Sequence, residues 1–182
     1  KIDFIQAKAS FALFTGGIKP PMENRQMLDW VHAIHPLLDI ALKKQNRKLV
    51  PLDITLEGSK RILVISGPNA GGKSVCLKTV GLLQYMVQCG VLIPLKENST
   101  VGVFDDIFID IGDEQSIEND LSTYSSHLMN MKYFDRWCNS KSLLLIDEFG
   151  SGTEPQIGAA IAEALLDRFN KRETFGVITR HY

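Results

Sequence analysis

The sequence predicts an α/β fold with a mostly parallel sheet flanked by helices. Short runs of branched apolar residues alternate with longer segments of helical period, and this alternation is typical of parallel sheets. Two of the runs, residues 61–66 and 142–146, are continuous enough to be strands buried on both faces. A Gly-rich turn follows the first of these runs and leads directly into a helical segment.

The expected elements follow in chain order. Residues 2–14 carry apolar side chains at a helical period, and the glycines and prolines between positions 16 and 21 end this helix. A polar region follows for which we predict no regular structure, and residues 49–56 then alternate like a strand. Beyond the buried strand at 61–66, the patterns predict a helix over 73–89 that Gly90 ends, a strand over 103–109, a helix over 121–138, a strand over 142–146, a helix over 155–169 and a strand over 174–179.

Three local expectations concern polar side chains. Thr153 as N-cap, with Gln156 three residues later, predicts a capping box at the start of the helix over 155–169. His127 is expected to face along its own helix. A solvated acidic loop is expected to carry Asp105, Asp106, Asp110, Asp113 and Glu114.

Composition excludes several classes of protein. Twenty Lys and Arg balance 21 Asp and Glu, so the basic excess of a free-standing nucleic-acid binder is missing. Three widely spaced cysteines exclude a disulfide framework and favour the reducing cytoplasm. Polar residues and Pro94 interrupt the longest apolar stretch, residues 75–95, so we expect no membrane span. The chain of 182 residues begins without Met, and we interpret it as a fragment of a longer protein.

The Gly-rich turn carries the most specific motif. It matches the phosphate-binding loop G-x-x-x-x-G-K-[ST] with Gly67, Pro68, Asn69, Ala70, Gly71, Gly72, Lys73 and Ser74. Glycines let successive backbone N–H groups surround a phosphate, and the following helix adds its positive N-terminal end. We expect Lys73, exposed without ligand, to reach the β- and γ-phosphates of ATP, and Ser74 to bind Mg²⁺. The alternative is a chance Gly-rich turn before a helix.

Two carboxylates end the strand over 142–146. Asp147 at this position can hold Mg²⁺, usually through water, and Glu148 can polarise the attacking water. Alone, such a pair is as often a solvated strand exit. Beside a phosphate loop, it favours hydrolysis over transfer to another molecule.

Four stretches together resemble the ATPase domain of the MutS family. They are the phosphate loop, Leu-Ser-Thr-Tyr-Ser-Ser-His at 121–127, Leu-Ile-Asp-Glu-Phe-Gly-Ser-Gly-Thr at 145–153, and His-Tyr at 181–182. Residues 104–118 resemble the second, recombination-suppressing branch, whose members usually end in an Smr nuclease domain. The resemblance covers residues 1–182 and implies an ABC-type P-loop ATPase domain. Residues 1–20 are then the tail of a preceding helical region and residues 49–182 the nucleotide-binding core.

The resemblance also implies roles for residues that the motifs alone do not explain. Ser122 would face the ATP of the opposite subunit, although it could equally cap its own helix, and residues 149–154 would follow the dimer seam. His181 would sense the γ-phosphate, next to Arg180 where the family usually has Thr or Ser. Further nucleotide contacts would come from Asn69, Val75, Leu49 and Val50, the last two against adenine.

The motifs and the resemblance together imply a Mg²⁺-dependent ATPase that binds ATP and ADP. Its cycle would open and close a homodimer, so that parts outside this chain engage mismatched or branched DNA in recombination, or stalled ribosomes. An absent Smr domain would add endonuclease activity. Two alternatives remain: a nucleotide-gated binding module with negligible turnover, and a transporter-type or SMC-type ABC ATPase, whose Leu-Ser-Gly-Gly-Gln signature residues 121–124 do not match.

Overall fold

The computed structural model of the chain describes residues 2–67, 72–112 and 120–180, except for the side chains of residues 120–124. The chain divides into two compact units, one comprising Lys1–Glu57 and Lys78–Val103 and the other Gly58–Leu77 and Phe104–Tyr182. The described helices are α1 (Ile2–Thr15), α2 (Pro36–Lys44), α3 (Lys73–Gln88), α4 (Asp120–Trp137) and α5 (Pro155–Lys171). The described strands are β1 (Met22–Glu23), β2 (Leu28–Ala33), β3 (Leu52–Leu56), β4 (Ile62–Ser66), β5 (Thr100–Gly102), β6 (Asp106–Asp110), β7 (Ser142–Ile146) and β8 (Phe175–Arg180).

The first unit contains a mixed four-stranded sheet in the order β1-β5-β2-β3. β2 pairs antiparallel with β3 and β5, whereas β1 pairs parallel with β5. Leu28 and Trp30 are buried on one face of β2, and a register shift after Trp30 brings Ala33 to the buried face as well. Gly102 in β5 leaves no room for a side chain, because a Cβ would lie 2.3 Å from the carbonyl oxygen of Arg25.

This sheet corrects the predicted fold class. The expectation of an ABC-type P-loop domain with one mostly parallel central sheet is wrong, because the described strands form two separate four-stranded sheets and one of them is mixed. The region predicted to be irregular contains β1, β2 and α2. β3 explains the error: Ile54 and Leu56 are buried and their neighbours are not, and such half-buried strands commonly pair antiparallel.

The second unit contains a parallel sheet in the order β4-β8-β7-β6. β7 is buried along its whole length, as predicted. β4 is not buried on both faces, because it forms the edge of the sheet and Val64 is 45% exposed. Phe134 of α4 and Phe169 of α5 pack against Leu144 of β7 in one apolar cluster, which holds the helices on the sheet.

Two local predictions at element ends are also wrong. The strand expected over 103–109 is interrupted, since the N–H of Val103 donates to the Arg25 carbonyl and the N–H of Asp105 to the Lys141 carbonyl. The N-cap of α5 is Glu154, and its side chain makes no capping hydrogen bond. With Glu154 as N-cap and Pro155 as the first helical residue, the third helical residue is Ile157, whose side chain has no acceptor to complete a capping box. Among the described residues, none of the helices has the length and apolar character to cross a membrane.

Candidate functional site

The phosphate-loop motif has the strand and helix that its mechanism requires. β4 ends at Ser66, and α3 begins at Lys73. Gly67 has a φ of 144° and Gly72 a φ of 79°, and a Cβ on either would meet nothing within 4 Å. Glycine is therefore required for backbone conformation rather than for space. The residues between them, Pro68, Asn69, Ala70 and Gly71, lie outside the described part of the chain.

Lys73 is buried, and the expectation that it would be exposed without ligand is wrong. Only 4% of the residue is exposed. Its ammonium donates to the carbonyl oxygen of Gly67 and, at 3.3 Å, to that of Arg180 at the end of β8. An ammonium has three N–H donors, so these two carbonyls leave one for a phosphate oxygen. The side chain thus suits an anion at the loop.

Ser74 and Val75 follow in the first turn of α3. Ser74 is half-buried, and Val75 is 40% exposed. Burial raises the pKa of the Cys76 thiol to about 11. This thiol therefore stays protonated at neutral pH and takes no nucleophilic part beside the loop.

Asp147 and Glu148 directly follow β7, and their side chains have different surroundings. Asp147 is 6% exposed, and its N–H donates to the carbonyl of Asp110 at 2.9 Å. Its Oδ1 accepts the N–H of Glu148 at 3.2 Å and the hydroxyl of Thr179. Glu148 is half-buried and has a φ of 52°, a left-handed conformation uncommon outside glycine. The chain therefore turns sharply directly after Asp147.

Thr179 of β8 is a site residue that the sequence analysis missed. It is fully buried, and its hydroxyl oxygen accepts the N–H of Glu148 at 2.9 Å. Its carbonyl oxygen accepts the N–H of Phe149 at 2.8 Å. The signal in the sequence is a hydroxyl that follows the apolar run 175–178 in a predicted buried strand, two positions before His181.

A second polar cluster lies next to the carboxylates. Nδ1 of His127 is 2.5 Å from Oδ2 of Asp110, and the Asn130 side chain donates to Oδ1 of Asp110 at 3.0 Å. Asp110 is 8% exposed, so its placement in a solvated acidic loop is wrong, and His127 does not simply face along its helix. His127 also lines a small cavity with Phe149, Gly150 and Ser151. The cluster therefore joins α4 to β6 and to the segment after Glu148.

The remaining predicted site residues stay predictions. Ser122 lies in the first turn of α4, where its side chain is not described, and His181 is outside the described residues. Arg180 contributes its backbone carbonyl to Lys73. Leu49 is half-buried and Val50 is 89% exposed, and both belong to the first compact unit.

The oxygen atoms available at this site suit Mg²⁺, which keeps several water ligands, better than a metal ion whose ligands all come from protein. Within the described residues, no group of three or more His, Cys, Asp or Glu side chains could hold an ion. Mg²⁺ usually keeps several waters and takes one or two carboxylates together with substrate phosphates. Asp147 and the Ser74 hydroxyl fit that requirement. Oδ1 of Asp147 is engaged by protein donors, so Oδ2 is the oxygen left for a metal-bound water.

Comparison with known proteins identifies the family. Residues 63–182 match MutS domain V, and the chain belongs to that family. Within the family it falls in the MutS2 branch, which confirms the resemblance noted in the sequence.

The similar relatives extend well beyond this chain. Endonuclease MutS2 of Geobacillus thermodenitrificans is 48% identical over 180 residues, which are 99% of this chain and 22% of the relative. The proteins of the same name from Finegoldia magna and Shouchella clausii are 46% and 47% identical over 182 residues, or 100% of this chain and 22% of each relative. The chain thus spans 22% of the length of these curated relatives.

Proposed function

We propose that this chain binds ATP with Mg²⁺ and hydrolyses it, as the nucleotide-binding part of a MutS-family protein. One observation carries the proposal: three neighbouring strands of the parallel sheet end at a single polar site. Lys73, which follows the loop after β4, bonds to the end of β8 at Arg180. Thr179 of β8 bonds in turn to Asp147 and Glu148 after β7. Ligands of parallel sheets bind at the carboxyl ends of the strands, where this chain offers a cation for phosphate oxygens and carboxylates for a metal ion and a water molecule.

Each side chain has a separate task in this proposal. Lys73 binds phosphate oxygens through the donor that its two carbonyl contacts leave, and Gly67 and Gly72 let the backbone approach them. Asp147 holds Mg²⁺ through water, with Ser74 as a direct ligand. When bound, Mg²⁺ supplies positive charge to the phosphate oxygens. Glu148 accepts a proton from the attacking water.

We propose further that the nucleotide cycle acts on a homodimer. Ser122 would complete the site of the opposite subunit, and His181 would sense the γ-phosphate. The relatives carry the name endonuclease, and this chain covers 22% of their length. The near-neutral charge, −1 in total, supports DNA contact through other parts of the protein, with branched or mismatched DNA or a stalled ribosome as its target. The three free cysteines support a cytoplasmic protein.

Steady-state release of phosphate from Mg²⁺-ATP tests the enzymatic part of the proposal. We expect turnover by the purified chain, and we expect chelation of Mg²⁺ by EDTA to abolish it. ATP binding without release of phosphate would contradict hydrolysis. That outcome would support the alternative of a nucleotide-gated binding module.

Sedimentation of the Glu148→Gln variant tests the dimer. ATP should shift this variant from monomer to dimer at high protein concentration, because the bound γ-phosphate is no longer removed, and ADP should not. An unchanged monomer under all conditions would contradict dimerisation of this chain. Full activity of a Ser122→Arg variant would contradict a site shared between subunits.

A further inference from the structure

Thr179 is placed where it can control both carboxylates at once. Its hydroxyl oxygen accepts the N–H of Glu148 at 2.9 Å, and a hydroxyl has a single hydrogen of its own. That hydrogen is directed to Oδ1 of Asp147, which is within hydrogen-bond distance. An ionised carboxylate is an acceptor only, so the polarity of the two bonds is fixed. Thr179 therefore acts as donor to one site residue and as acceptor to the next.

The two bonds have different consequences for the carboxylates. Oδ1 of Asp147 receives two protein donors, the Thr179 hydroxyl and the Glu148 amide, whereas Oδ2 receives none from the described residues. This difference fixes which oxygen of Asp147 faces a ligand. The second bond holds the amide of Glu148, a residue whose φ is 52°. Because few residues other than glycine adopt that conformation, the direction of the Glu148 side chain depends on contacts that hold its backbone.

The same strand end also reaches the phosphate loop. The carbonyl of Arg180, the residue after Thr179, accepts the Lys73 ammonium at 3.3 Å. The carbonyl of Thr179 itself accepts the N–H of Phe149 at 2.8 Å. Two consecutive residues of β8 thus bond to the loop lysine on one side and to three residues of the carboxylate segment on the other.

We propose that Thr179 is a positioning residue for ATP hydrolysis: its hydroxyl orients Asp147 and holds Glu148 in its left-handed conformation. Thr179 is buried, so it acts through these two residues and touches no substrate. This proposal rests on the proposed function, since the two carboxylates that Thr179 positions are the ones proposed to act in ATP hydrolysis.

The test compares three substitutions, two at Thr179 in β8 and one at Thr174 directly before this strand. Thr179→Val keeps the shape of the side chain and removes the hydroxyl, and Thr179→Ser keeps the hydroxyl. Thr174→Val is the matched control, because Thr174 lies directly before β8, is fully buried, and its hydroxyl has no partner among the described residues. If Thr179→Val does not fold, Thr179→Ala removes the same hydroxyl without placing a second methyl group beside the carboxylate.

The expected result separates catalysis from binding. A hydrogen bond to a charged group accounts for about tenfold to hundredfold in an equilibrium or rate, so we expect kcat of Thr179→Val to fall by that factor. The Kd for ATP without Mg²⁺, measured by calorimetry, should change by no more than about threefold, since Lys73 and the loop remain. Thr179→Ser should recover most of kcat, and Thr174→Val should match the unchanged protein.

A measurement without nucleotide tests whether Thr179 holds Glu148 without depending on turnover. Amide hydrogen exchange of Glu148 should be faster in Thr179→Val than in Thr174→Val, because only the first loses the nearer of the two acceptors of that N–H, the Thr179 hydroxyl at 2.9 Å, and keeps the Asp147 carboxylate at 3.2 Å. Unchanged exchange would overturn the proposal, and so would an unchanged kcat in Thr179→Val. Equal losses in all three variants would also overturn it, by showing a general defect of the strand. If the unchanged chain releases no phosphate, the proposed function fails, and the exchange of Glu148 still decides whether Thr179 holds this segment.

Discussion

At the scale of single residues, Asp147 and Glu148 are neighbours whose surroundings give them different capacities. Asp147 is buried and accepts two protein donors on one oxygen, which fixes the orientation of its carboxylate. Glu148 is half-buried and leaves the strand in a left-handed conformation, so its side chain takes a different direction. The first environment suits a residue that holds a cation through water, and the second suits a base that must reach the substrate.

The two carboxylates should therefore fail in different ways when neutralised. In Glu148→Gln, ATP binding should persist while hydrolysis falls by about a hundredfold, because the amide cannot accept the proton. In Asp147→Asn, the Mg²⁺-dependent part of ATP binding should weaken instead. Equilibrium binding with and without Mg²⁺, together with phosphate release, distinguishes the two. The control is Glu163→Gln, an exposed residue on α5, and normal binding and turnover in both site variants would refute the assigned roles.

At the scale of elements, α2 has a titratable cap. Nδ1 of His35 accepts the N–H of Leu38 at 3.2 Å, and Pro36 opens the helix. Burial lowers the pKa of His35 below its ordinary value; a backbone hydrogen bond opposes part of this effect, and the charge of Lys78 lowers the pKa by a smaller amount. Protonation removes the acceptor, so the cap requires the neutral imidazole.

The cap makes stability depend on pH in a defined direction. The folded pKa of His35 is depressed, so its contribution is fully present above about pH 6.5, the unfolded value, and is lost as the pH falls through the lower folded value. His35→Asn keeps a capping side chain and removes the titration. The thermal midpoint should therefore fall less between pH 7.5 and pH 5 in His35→Asn than in the unchanged chain. Identical falls would show that His35 does not cause the dependence.

A pair of glycines joins the segment after the carboxylates to α5. A Cβ on Gly158 would lie 2.1 Å from the carbonyl oxygen of Gly150, and Gly150 itself has a φ of 83°. Close backbone contact of this kind requires glycine on the helix. The path of residues 149–153 therefore depends on contact with α5. Gly158 itself belongs to no recognisable sequence motif.

We expect Gly158→Ala to destabilise the protein although alanine favours helices. The added methyl group must displace backbone, and overpacking of this kind costs about 1–3 kcal/mol or more of the free energy of unfolding. Gly112→Ala is the control, since a Cβ there meets nothing within 4 Å. Denaturant unfolding of both variants measures the difference. A Gly158→Ala variant as stable as Gly112→Ala would mean that the segment can move away at little cost.

At the scale of the whole molecule, the sequence predicted the second unit better than the first. β7 and α3 could be predicted because continuous apolar runs and a phosphate-loop motif are local signals. β2 could not, because its burial pattern contains a register shift and its pairing with β3 joins residues far apart in the chain. The fold class was wrong for the same reason: half-buried strands form a sheet of their own, and only long-range pairing reveals it.

The candidate site shows the same division between local and long-range signals. Lys73, Asp147 and Glu148 follow from motifs of a few residues each, and the structure places Lys73 and the two carboxylate residues on either side of the end of β8. The burial of Lys73 depends on the carbonyl of Arg180, and the contacts of Thr179 depend on the order β4-β8-β7. A short sequence motif does not reveal the order of strands in a sheet. Residues that support the site through neighbouring strands were therefore missed.

Calorimetric titration of Mg²⁺-ATP into the unchanged chain and into Lys73→Ala tests the central claim most directly. Lys73 is the cation that the loop and β8 hold at the proposed phosphate site, so its removal should weaken binding by at least about a hundredfold. Lys78→Ala, an exposed lysine five residues later on α3, should bind like the unchanged chain. Circular dichroism should show that both variants fold. Equal affinity of folded Lys73→Ala and the unchanged chain, or no binding by either, would contradict the claim.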